Sequence, residues 1–342
     1  MIRPEHTQLN GVPVLKSILV TGGAGFIGGW FVRHLLQNYG HRYAVICFDN
    51  FDYCASENNF KSVAQFSNLH FIKGDVCAPK DVENALRNYH IASIVHFAAR
   101  SHVDTSLNDP LSFAQTNIIG TQVLLENNSQ HPTAFTEEQS LHPTNPYSAS
   151  KAATEMIVQA YRKSFHMPLI IVRCNNMFRP YQYPEKLIPR FITLLNQRRR
   201  MPIHGDGRTS RAFLWAGDAA EALDVIFHNG TDGETYNISS NDHLQVRQVA
   251  GKIFRCFYPD GTYDSDNWIE FVADRPFNDG MYWTDDSKLR ALGWKQQTKF
   301  DEALRATVDW YCRDSEGFWP NQEGLGSTVV VDGDVIAEDD HI

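Results

Sequence analysis

Tyr147 and Lys151, four residues apart, are the pair of side chains in this sequence best suited to proton transfer. Residues at positions i and i+4 share one face of a helix, and a helical pattern runs from Tyr147 to about His166. A lysine ammonium beside a phenol stabilises the phenolate, so we expect Lys151 to lower the pKa of Tyr147 and make it a base. The same spacing occurs on ordinary helix faces, so this interpretation depends on a nearby cofactor site.

The stretch Thr21–Gly28 reads Thr-Gly-Gly-Ala-Gly-Phe-Ile-Gly and predicts a glycine-rich turn between a strand and a helix. An apolar run, Leu15–Val20, precedes the turn, and an amphipathic run, Trp30–Leu36, follows it. This context is typical of dinucleotide-binding folds. The alternative is a tight strand-to-helix turn that binds no ligand, because the glycine spacing alone is a weak signal.

Several residue types in this turn suit contact with a pyrophosphate. Gly22 and Gly25 fit backbone positions that a side chain would block, and Gly28 fits close packing of the helix on the strand. The helix start at Phe26 and Ile27 offers free N–H groups and the positive end of the helix dipole. We therefore predict that these five residues bind a dinucleotide.

Two acidic residues follow the next predicted strands. Asp49 ends the apolar run Tyr43–Asp49, just before Asn50, and its carboxylate can accept from both adenosine ribose hydroxyls while repelling a 2′-phosphate. This favours NAD over NADP, although an aspartate in a strand-ending turn is the alternative. Asp75, beside Val76, can meet the adenine amino group or simply cap the following helix.

The elements that would position these residues alternate along the chain. Apolar runs at Ser17–Val20, Ala44–Phe48, Leu69–Ile72 and Ile91–Ala98 predict buried parallel strands, with helical segments such as Pro79–Tyr89 between them. This alternation predicts an α/β fold with a doubly wound parallel sheet. Right-handed crossovers would then place the glycine turn at the carboxyl edge of the sheet.

Length, composition and charge limit which other classes of protein this chain could belong to. The 342 residues suit one large α/β domain with a smaller lobe, and 42% hydrophobic residues predict a packed core. The net charge of −9 argues against a nucleic-acid-binding face, and no run approaches the length of a membrane span. The six scattered cysteines form no C-x-x-C pair, and no cluster has metal-ligand spacing. We therefore expect a cytoplasmic protein with reduced thiols and without a metal.

Over nearly its whole length the chain resembles the extended short-chain dehydrogenase/reductase superfamily and, within it, the nucleotide-sugar 4,6-dehydratases. The resemblance is strongest to the UDP-glucose 4,6-dehydratase domain of rhamnose synthases, and the dTDP-glucose enzymes come next. The matching stretches are Thr21–Gly28, Asp49–Ser56, His96–Asp104, Asn117–Glu126, Pro143–Lys151, Arg173–Asn176, Gln182–Pro189, Pro202–Gly207 and Arg275–Asp279.

The resemblance implies an internal redox cycle with bound NAD. The C4 hydroxyl of the glucose is oxidised, water is eliminated across C5 and C6, and the hydride returns to C6. Tyr147 is the implied base, and Lys151 also contacts the nicotinamide ribose. Further implied cofactor contacts are Asn50, Asp75, Val76, Ala98 and Ala99. The implied residues for the nucleotide diphosphate and the sugar are His102, Asn176, Glu185, Lys186, Arg211, Arg275, Asn278 and Tyr282.

The guanidinium groups of Arg211 and Arg275 have a fork geometry that suits a pyrophosphate, although a surface ion pair is the alternative for each. Two departures from the family pattern affect the same lobe. Arg179 replaces a family glycine, which could strain a turn that needs a positive φ, and Met281 replaces a usual arginine before Tyr282.

The resemblance also divides the chain. It implies an N-terminal extension over residues 1–14 and a Rossmann-like NAD domain over 15–175, to which the 218–240 region returns. Residues 176–313 would form mainly the nucleotide-sugar lobe, and 314–342 a flexible acidic tail. Homodimerisation is expected through the helix that carries Tyr147 and the helix that ends near Glu126.

One family segment is missing after Glu126. The family has a Ser-Thr-Asp-Glu-Val-Tyr-Gly stretch at the end of its fifth strand, which supplies the hydroxyl and the two acids of the elimination. Here roughly twenty residues are absent, enough for the end of one helix and one central strand. Thr136, Glu137 and Glu138 match a downstream loop of the family instead. The alternatives are therefore a catalytically impaired homologue that only binds NAD or nucleotide sugar, and a nucleotide-sugar 4-epimerase.

Overall fold

A computed structural model describes residues 8–9, 12–13, 16–40, 42–127, 145–261, 265–274 and 284–319. The strands are β1 (Gln8–Leu9), β2 (Val12–Pro13), β3 (Lys16–Thr21), β4 (Tyr43–Asp49), β5 (Leu69–Lys73), β6 (Ile91–His96), β7 (Ile171–Cys174), β8 (Asn176–Phe178), β9 (Met201–His204), β10 (Ser210–Trp215), β11 (Thr235–Ile238), β12 (His243–Gln245) and β13 (Ile269–Val272).

The helices are α1 (Phe26–Tyr39), α2 (Pro79–Tyr89), α3 (Val103–Asn108), α4 (Pro110–Ala114), α5 (Gly120–Glu126), α6 (Pro146–Phe165), α7 (Leu187–Asn196), α8 (Ala216–Asn229), α9 (Val246–Phe257), α10 (Ser287–Ala291) and α11 (Phe300–Arg313). Short 3₁₀ helices cover Glu57–Val63 and Ser265–Trp268, and a π-helical turn, Gln115–Ile119, joins α4 to α5. None of the described helices is long and apolar enough to cross a membrane.

The predicted doubly wound sheet is confirmed in its first half. Four parallel strands lie in the order β5-β4-β3-β6, and the apolar run of β3 is fully buried between its two neighbours. The strand order reverses between β3 and β6, and Thr21 is paired with Phe48 on one side and His96 on the other. The turn that follows Thr21 therefore lies at the carboxyl edge of the sheet, where open α/β sheets bind ligands.

Beyond β6 the sheet is interrupted. β7 pairs in parallel with β11 as a separate two-stranded sheet, and among the described strands β6 pairs with β3 alone. Every residue of β6 is half-buried, whereas most of β3 and β4 is fully buried. A strand between β6 and β7 would bury both edges, and this is the place where the sequence predicts a missing strand.

The second lobe has its own core. β10 pairs with β8 in parallel and with β12 in antiparallel fashion, and β9 pairs with β13. α7, α9 and α11 pack over these strands. Their apolar faces meet around the buried side chains Phe178, Phe191, Phe213, Ile253, Phe300 and Leu304. α8 instead packs on α1, so part of the chain's second half belongs to the first core.

The end of the chain departs from the expected flexible tail. Phe318 and Trp319 are buried, and Phe318 stacks on Tyr181 with ring centroids 4.9 Å apart. The expected start of the tail at residue 314 is therefore wrong, because these two aromatic rings pack into the core of the second lobe. Residues 320–342 lie outside the described part of the chain.

Candidate active site

The glycine turn is built so that only glycine fits at two of its positions. Gly22 has a φ of +66°, and a Cβ added there would lie 2.6 Å from the backbone nitrogen of Ala98. A Cβ on Gly28 would lie 2.3 Å from the Gly22 carbonyl oxygen. Gly25 is the N-cap of α1 and has no side chain to cap the helix. The backbone N–H groups of the first turn, which begins at Phe26, therefore remain available to an anion.

Asp49 binds the turn from the neighbouring strand. Its Oδ2 accepts from the backbone N–H of Ala24 at 2.9 Å, and its Oδ1 accepts from the N–H of Phe51 at 2.8 Å. Burial raises the pKa of Asp49, and these two N–H donors oppose the shift because they favour the charged form. Each carboxylate oxygen retains a lone pair, so the side chain can still accept from ribose hydroxyls.

The other predicted cofactor contacts outside the turn have local structural roles. Asn50 is exposed and accepts from the N–H of Asp52 through Oδ1 at 3.1 Å. Asp75 accepts from the N–H of Cys77 at 2.8 Å and does not cap α2, whose N-cap is Ala78. Val76 is buried. The backbone of Ala98 approaches Gly22, and Ala99 is exposed beside it.

Tyr147 and Lys151 lie in the first two turns of α6. The helix begins with a capping box between Asn145 and Ser148, which places Tyr147 at the second helical position. The Tyr147 ring is half-buried and meets Phe113 edge-on, with centroids 6.3 Å apart. Lys151, one turn later, is exposed to solvent.

The expected lowering of the phenol pKa is not found. Burial, together with the Cys174 thiol, raises the pKa of Tyr147. Desolvation lowers the pKa of Lys151, while Cys174 and Glu155 oppose the shift. Because the Lys151 side chain is exposed, we expect water to keep this lowering small.

Asn117 ties α6 to the end of β6, and the sequence assigned it no role of its own. Its Oδ1 accepts from the N–H of Arg100 at 2.8 Å, and its Nδ2 donates to the Ser150 hydroxyl at 2.8 Å. The Thr154 hydroxyl donates to the Asn117 carbonyl, also at 2.8 Å. Asn117 itself is buried at the π-helical turn, and such turns are frequent at functional sites. The tyrosine helix is thus fixed relative to the carboxyl edge of the sheet.

Three predicted substrate residues converge across the two lobes. The Glu185 carboxylate accepts from the Tyr53 hydroxyl at 2.7 Å and lies 3.2 Å from the Lys186 ammonium. His102 Nδ1 lies 4.0 Å from Glu185 and 2.7 Å from the Thr105 hydroxyl. Lys186 also donates to the carbonyl oxygen of Ser101, at 2.9 Å. The segment after β6 and the segment before α7 therefore share one charged cluster.

The remaining predicted substrate residues are less closely grouped. Asn176 is exposed at the start of β8, and Arg211 lies on the adjacent strand β10, where its guanidinium donates to the Ser210 carbonyl. Arg275, Asn278 and Tyr282, together with Met281, lie outside the described residues.

Arg179 does not occupy a strained backbone position, contrary to expectation. The positive φ of this turn, +78°, falls on Tyr181 instead. The Arg179 guanidinium lies 3.4 Å from the centroid of Trp30 and 4.5 Å from that of Trp215, and burial lowers its pKa to about 10. The substitution therefore adds a cation–π contact between the second lobe and α1.

The model of the family described as GDP-mannose 4,6 dehydratase matches residues 19–307 of the chain. The chain belongs to this family. A dTDP-D-glucose 4,6-dehydratase from Bos taurus is 36% identical over 329 residues, which cover 90% of the chain and 92% of that protein. The crystal structure of a dTDP-glucose 4,6-dehydratase from Streptomyces venezuelae with NAD bound is 34% identical and superposes with a TM-score of 0.81. The match covers 89% of the present chain and 99% of the Streptomyces protein.

Another member of the dehydratase family is larger. A trifunctional UDP-glucose 4,6-dehydratase/UDP-4-keto-6-deoxy-D-glucose 3,5-epimerase/UDP-4-keto-L-rhamnose-reductase from Arabidopsis thaliana is 38% identical over 331 residues. The match covers 90% of the chain and 49% of that protein, so the chain spans about half the length of this relative.

The match to the bovine relative also indicates that this chain lacks residues which that protein has. The match to the bovine protein spans 329 residues, but it uses 90% of this chain, about 308 of its 342 residues. About 21 aligned positions of the relative therefore have no counterpart here. This number is close to the length of the segment that the sequence predicts to be missing.

Proposed function

We propose that this chain is an NAD-dependent nucleotide-sugar 4,6-dehydratase that acts on UDP-glucose or dTDP-glucose. The observation that carries the proposal is the grouping, at the carboxyl edge of one parallel sheet, of the glycine turn, the Tyr147–Lys151 helix and the His102–Glu185–Lys186 cluster. Relatives of matching length are dTDP-D-glucose 4,6-dehydratases, which supports the reaction class.

The residues at the turn fit NAD. Gly22 and Gly28 leave no room for a side chain between the turn and its neighbours, and Asp49 keeps lone pairs for ribose hydroxyls. When bound, NAD would supply the acceptance and return of a hydride. Tyr147 would remove the proton of the sugar hydroxyl, and Lys151 would bind the ribose and favour the phenolate.

The charged cluster suits a nucleotide diphosphate sugar. Lys186 and His102 offer cationic or donor groups, and Glu185 offers an acceptor for sugar hydroxyls. We propose Asn176 and Arg211, with Arg275, Asn278 and Tyr282, as further contacts of this substrate.

The test is turnover with purified protein. UDP-glucose and dTDP-glucose are each incubated with NAD, and the alkali-sensitive 4-keto-6-deoxy product is measured by absorbance and mass spectrometry. We expect product from at least one of the two sugars, and product formation slower by about 100-fold or more with Tyr147→Phe. Absence of product with either sugar at high protein concentration would refute the dehydratase.

A second candidate is an impaired homologue that binds NAD and nucleotide sugar without eliminating water. It is favoured by the deficit of about 21 aligned positions and by the pairing of β6, among the described strands, with β3 alone. Such a protein would keep the oxidising pair but lack the elimination acids. We would then expect the absorbance of reduced nicotinamide to rise on addition of sugar, with no 4-keto-6-deoxy product.

We also propose a homodimer formed through α4, α5 and α6. Apolar side chains on these helices and on the π-helical turn that joins α4 to α5 are exposed to solvent, including Leu111 (81%), Met156 (59%) and Ile119. α3, α4 and α5 all pack against α6, so these exposed side chains belong to one packed group of helices. Exposed apolar side chains grouped in this way are typical of an interaction surface.

A cytosolic location is part of the proposal. All six cysteines are free thiols, and Cys174 and Cys312 are exposed. Exposed thiols persist in a reducing compartment, which supports the cytosol.

A further inference from the structure

Arg33 on α1 is a buried cation without an acidic partner. Its side chain is 1% exposed, and none of the ion pairs in the described part of the chain includes it. Burial lowers the pKa of its guanidinium to about 9. A buried charge is costly unless its hydrogen bonds are well placed, so the contacts that Arg33 does make are informative.

Those contacts are concentrated on one residue, Asn59. Arg33 Nε donates to the Asn59 carbonyl at 2.6 Å, and Nη2 donates to Asn59 Oδ1 at 3.0 Å. The guanidinium lies 4.1 Å from the ring centroid of Trp30 and 4.5 Å from that of Tyr181. The fork of the arginine thus fixes both the backbone and the side-chain amide of Asn59.

Asn59 in turn binds the glycine turn. With its oxygen occupied by Arg33, its Nδ2 donates to the Ala24 carbonyl at 2.7 Å. The Ser56 N–H donates to the same carbonyl at 3.2 Å, and the Ala24 N–H donates to Asp49 at 2.9 Å. Both peptide groups of Ala24, in the middle of the turn, are therefore fixed by side chains from outside it.

We propose that Asn59, oriented by Arg33, is a positioning residue that sets the direction of the turn's N–H groups toward the pyrophosphate of NAD. This inference rests on the proposed NAD binding. Asn59 does not contact the reacting atoms in this view, and its effect passes through Ala24 to the peptide groups at Gly25 and Phe26.

The sharpest variant is Asn59→Asp. It is nearly isosteric and keeps both acceptors for Arg33, but it replaces the amide donor to Ala24 with an oxygen that repels the carbonyl. It also gives the buried guanidinium a counter-charge, so we expect thermal stability to be kept. Calorimetry with NAD should show binding weakened about tenfold. The added charge could also repel the pyrophosphate through space, and high salt would screen that repulsion. We therefore expect the weakened NAD binding to persist at high salt, because it comes from the lost hydrogen bond to Ala24.

The matched control is Asn68→Asp. The Asn68 amide also donates to two carbonyls of the first domain, at Gly40 and Tyr43, 2.6 and 2.5 Å away. Within the described part of the chain its side chain does not contact the turn, so we expect NAD affinity within twofold of that of the unmodified chain. Arg33→Met is the second variant if Asn59→Asp does not fold. It removes the buried charge, keeps an unbranched apolar side chain in place of the arginine stem and frees Asn59, so NAD binding should again weaken.

Hydrogen exchange over residues 20–29 gives a readout that does not require the cofactor. We expect faster exchange in Asn59→Asp and Arg33→Met but not in Asn68→Asp. NAD affinity and exchange unchanged in both of the first two variants would overturn the positioning role. If the unmodified chain binds no NAD, the proposed function fails, and exchange still decides whether Asn59 orders the turn.

Discussion

Substitution of Gly22 by alanine is the most direct test of how the turn is built. At a φ of +66°, a residue with a Cβ adopts the left-handed region at a cost of about 1 kcal/mol. The new Cβ would also lie 2.6 Å from Ala98 N and 2.8 Å from Ala98 Cα, atoms of a strand extension that cannot rotate away. Overpacking of this kind costs about 1–3 kcal/mol. We therefore expect Gly22→Ala to lower the free energy of unfolding by about 3 kcal/mol.

The control is Gly251→Ala in the interior of α9. A Cβ there meets no atom within 4 Å, and the backbone is helical, so alanine should stabilise the chain by about 1 kcal/mol. Urea denaturation followed by tryptophan fluorescence measures both changes, and NAD titration measures the effect on the turn. Equal stability of Gly22→Ala and the unmodified chain, with equal NAD affinity, would refute the argument that the strand approaches the turn this closely.

Three further predictions concern separate parts of the molecule. Hydrogen bonding to Asp224 raises the pKa of His228 above 6.5, so its contribution to stability is complete below that pH and is lost as the pH rises through the raised value. Urea denaturation across that range should show this loss, and His228→Gln should remove it. Leu111→Glu should convert the proposed dimer to monomer in light scattering, whereas Phe271→Glu, at a residue that is also exposed (61%), should not. Tyr147→Phe should lower kcat by about 100-fold or more and leave NAD affinity unchanged, and activity equal to that of the unmodified chain would exclude this phenol as the base.

The parts of the site that depend on local spacing were predictable from the sequence. The glycine turn needs a strand before it and a helix after it, and both are encoded within some twenty residues of Gly25. Likewise Tyr147 and Lys151 follow from a helical spacing of four. The four parallel strands were predictable because buried strands leave uninterrupted apolar runs.

The parts that depend on distant packing were not predictable. A pattern of residue types places an arginine such as Arg33 on the surface, and its burial depends on Trp30 and on Tyr181, about 150 residues further along the chain. The pKa of Tyr147 rises because of its burial and of Cys174, and neither follows from its spacing to Lys151. Asn117 resembles any polar residue of a helix until its hydrogen bonds to Arg100, Ser150 and Thr154 are seen.

Phe318 has a consequence for the order in which this molecule can be completed. Its carbonyl accepts from the Ser56 hydroxyl at 2.7 Å and from the Asn58 amide at 2.6 Å, across sequence separations of 262 and 260 residues. During synthesis Phe318 emerges 262 residues after Ser56. The 3₁₀ helix beside the glycine turn therefore lacks these two contacts until Phe318 has been made. Contacts of such long separation slow folding, so a ribosome-bound or truncated chain ending before Phe318 would present the turn without this support.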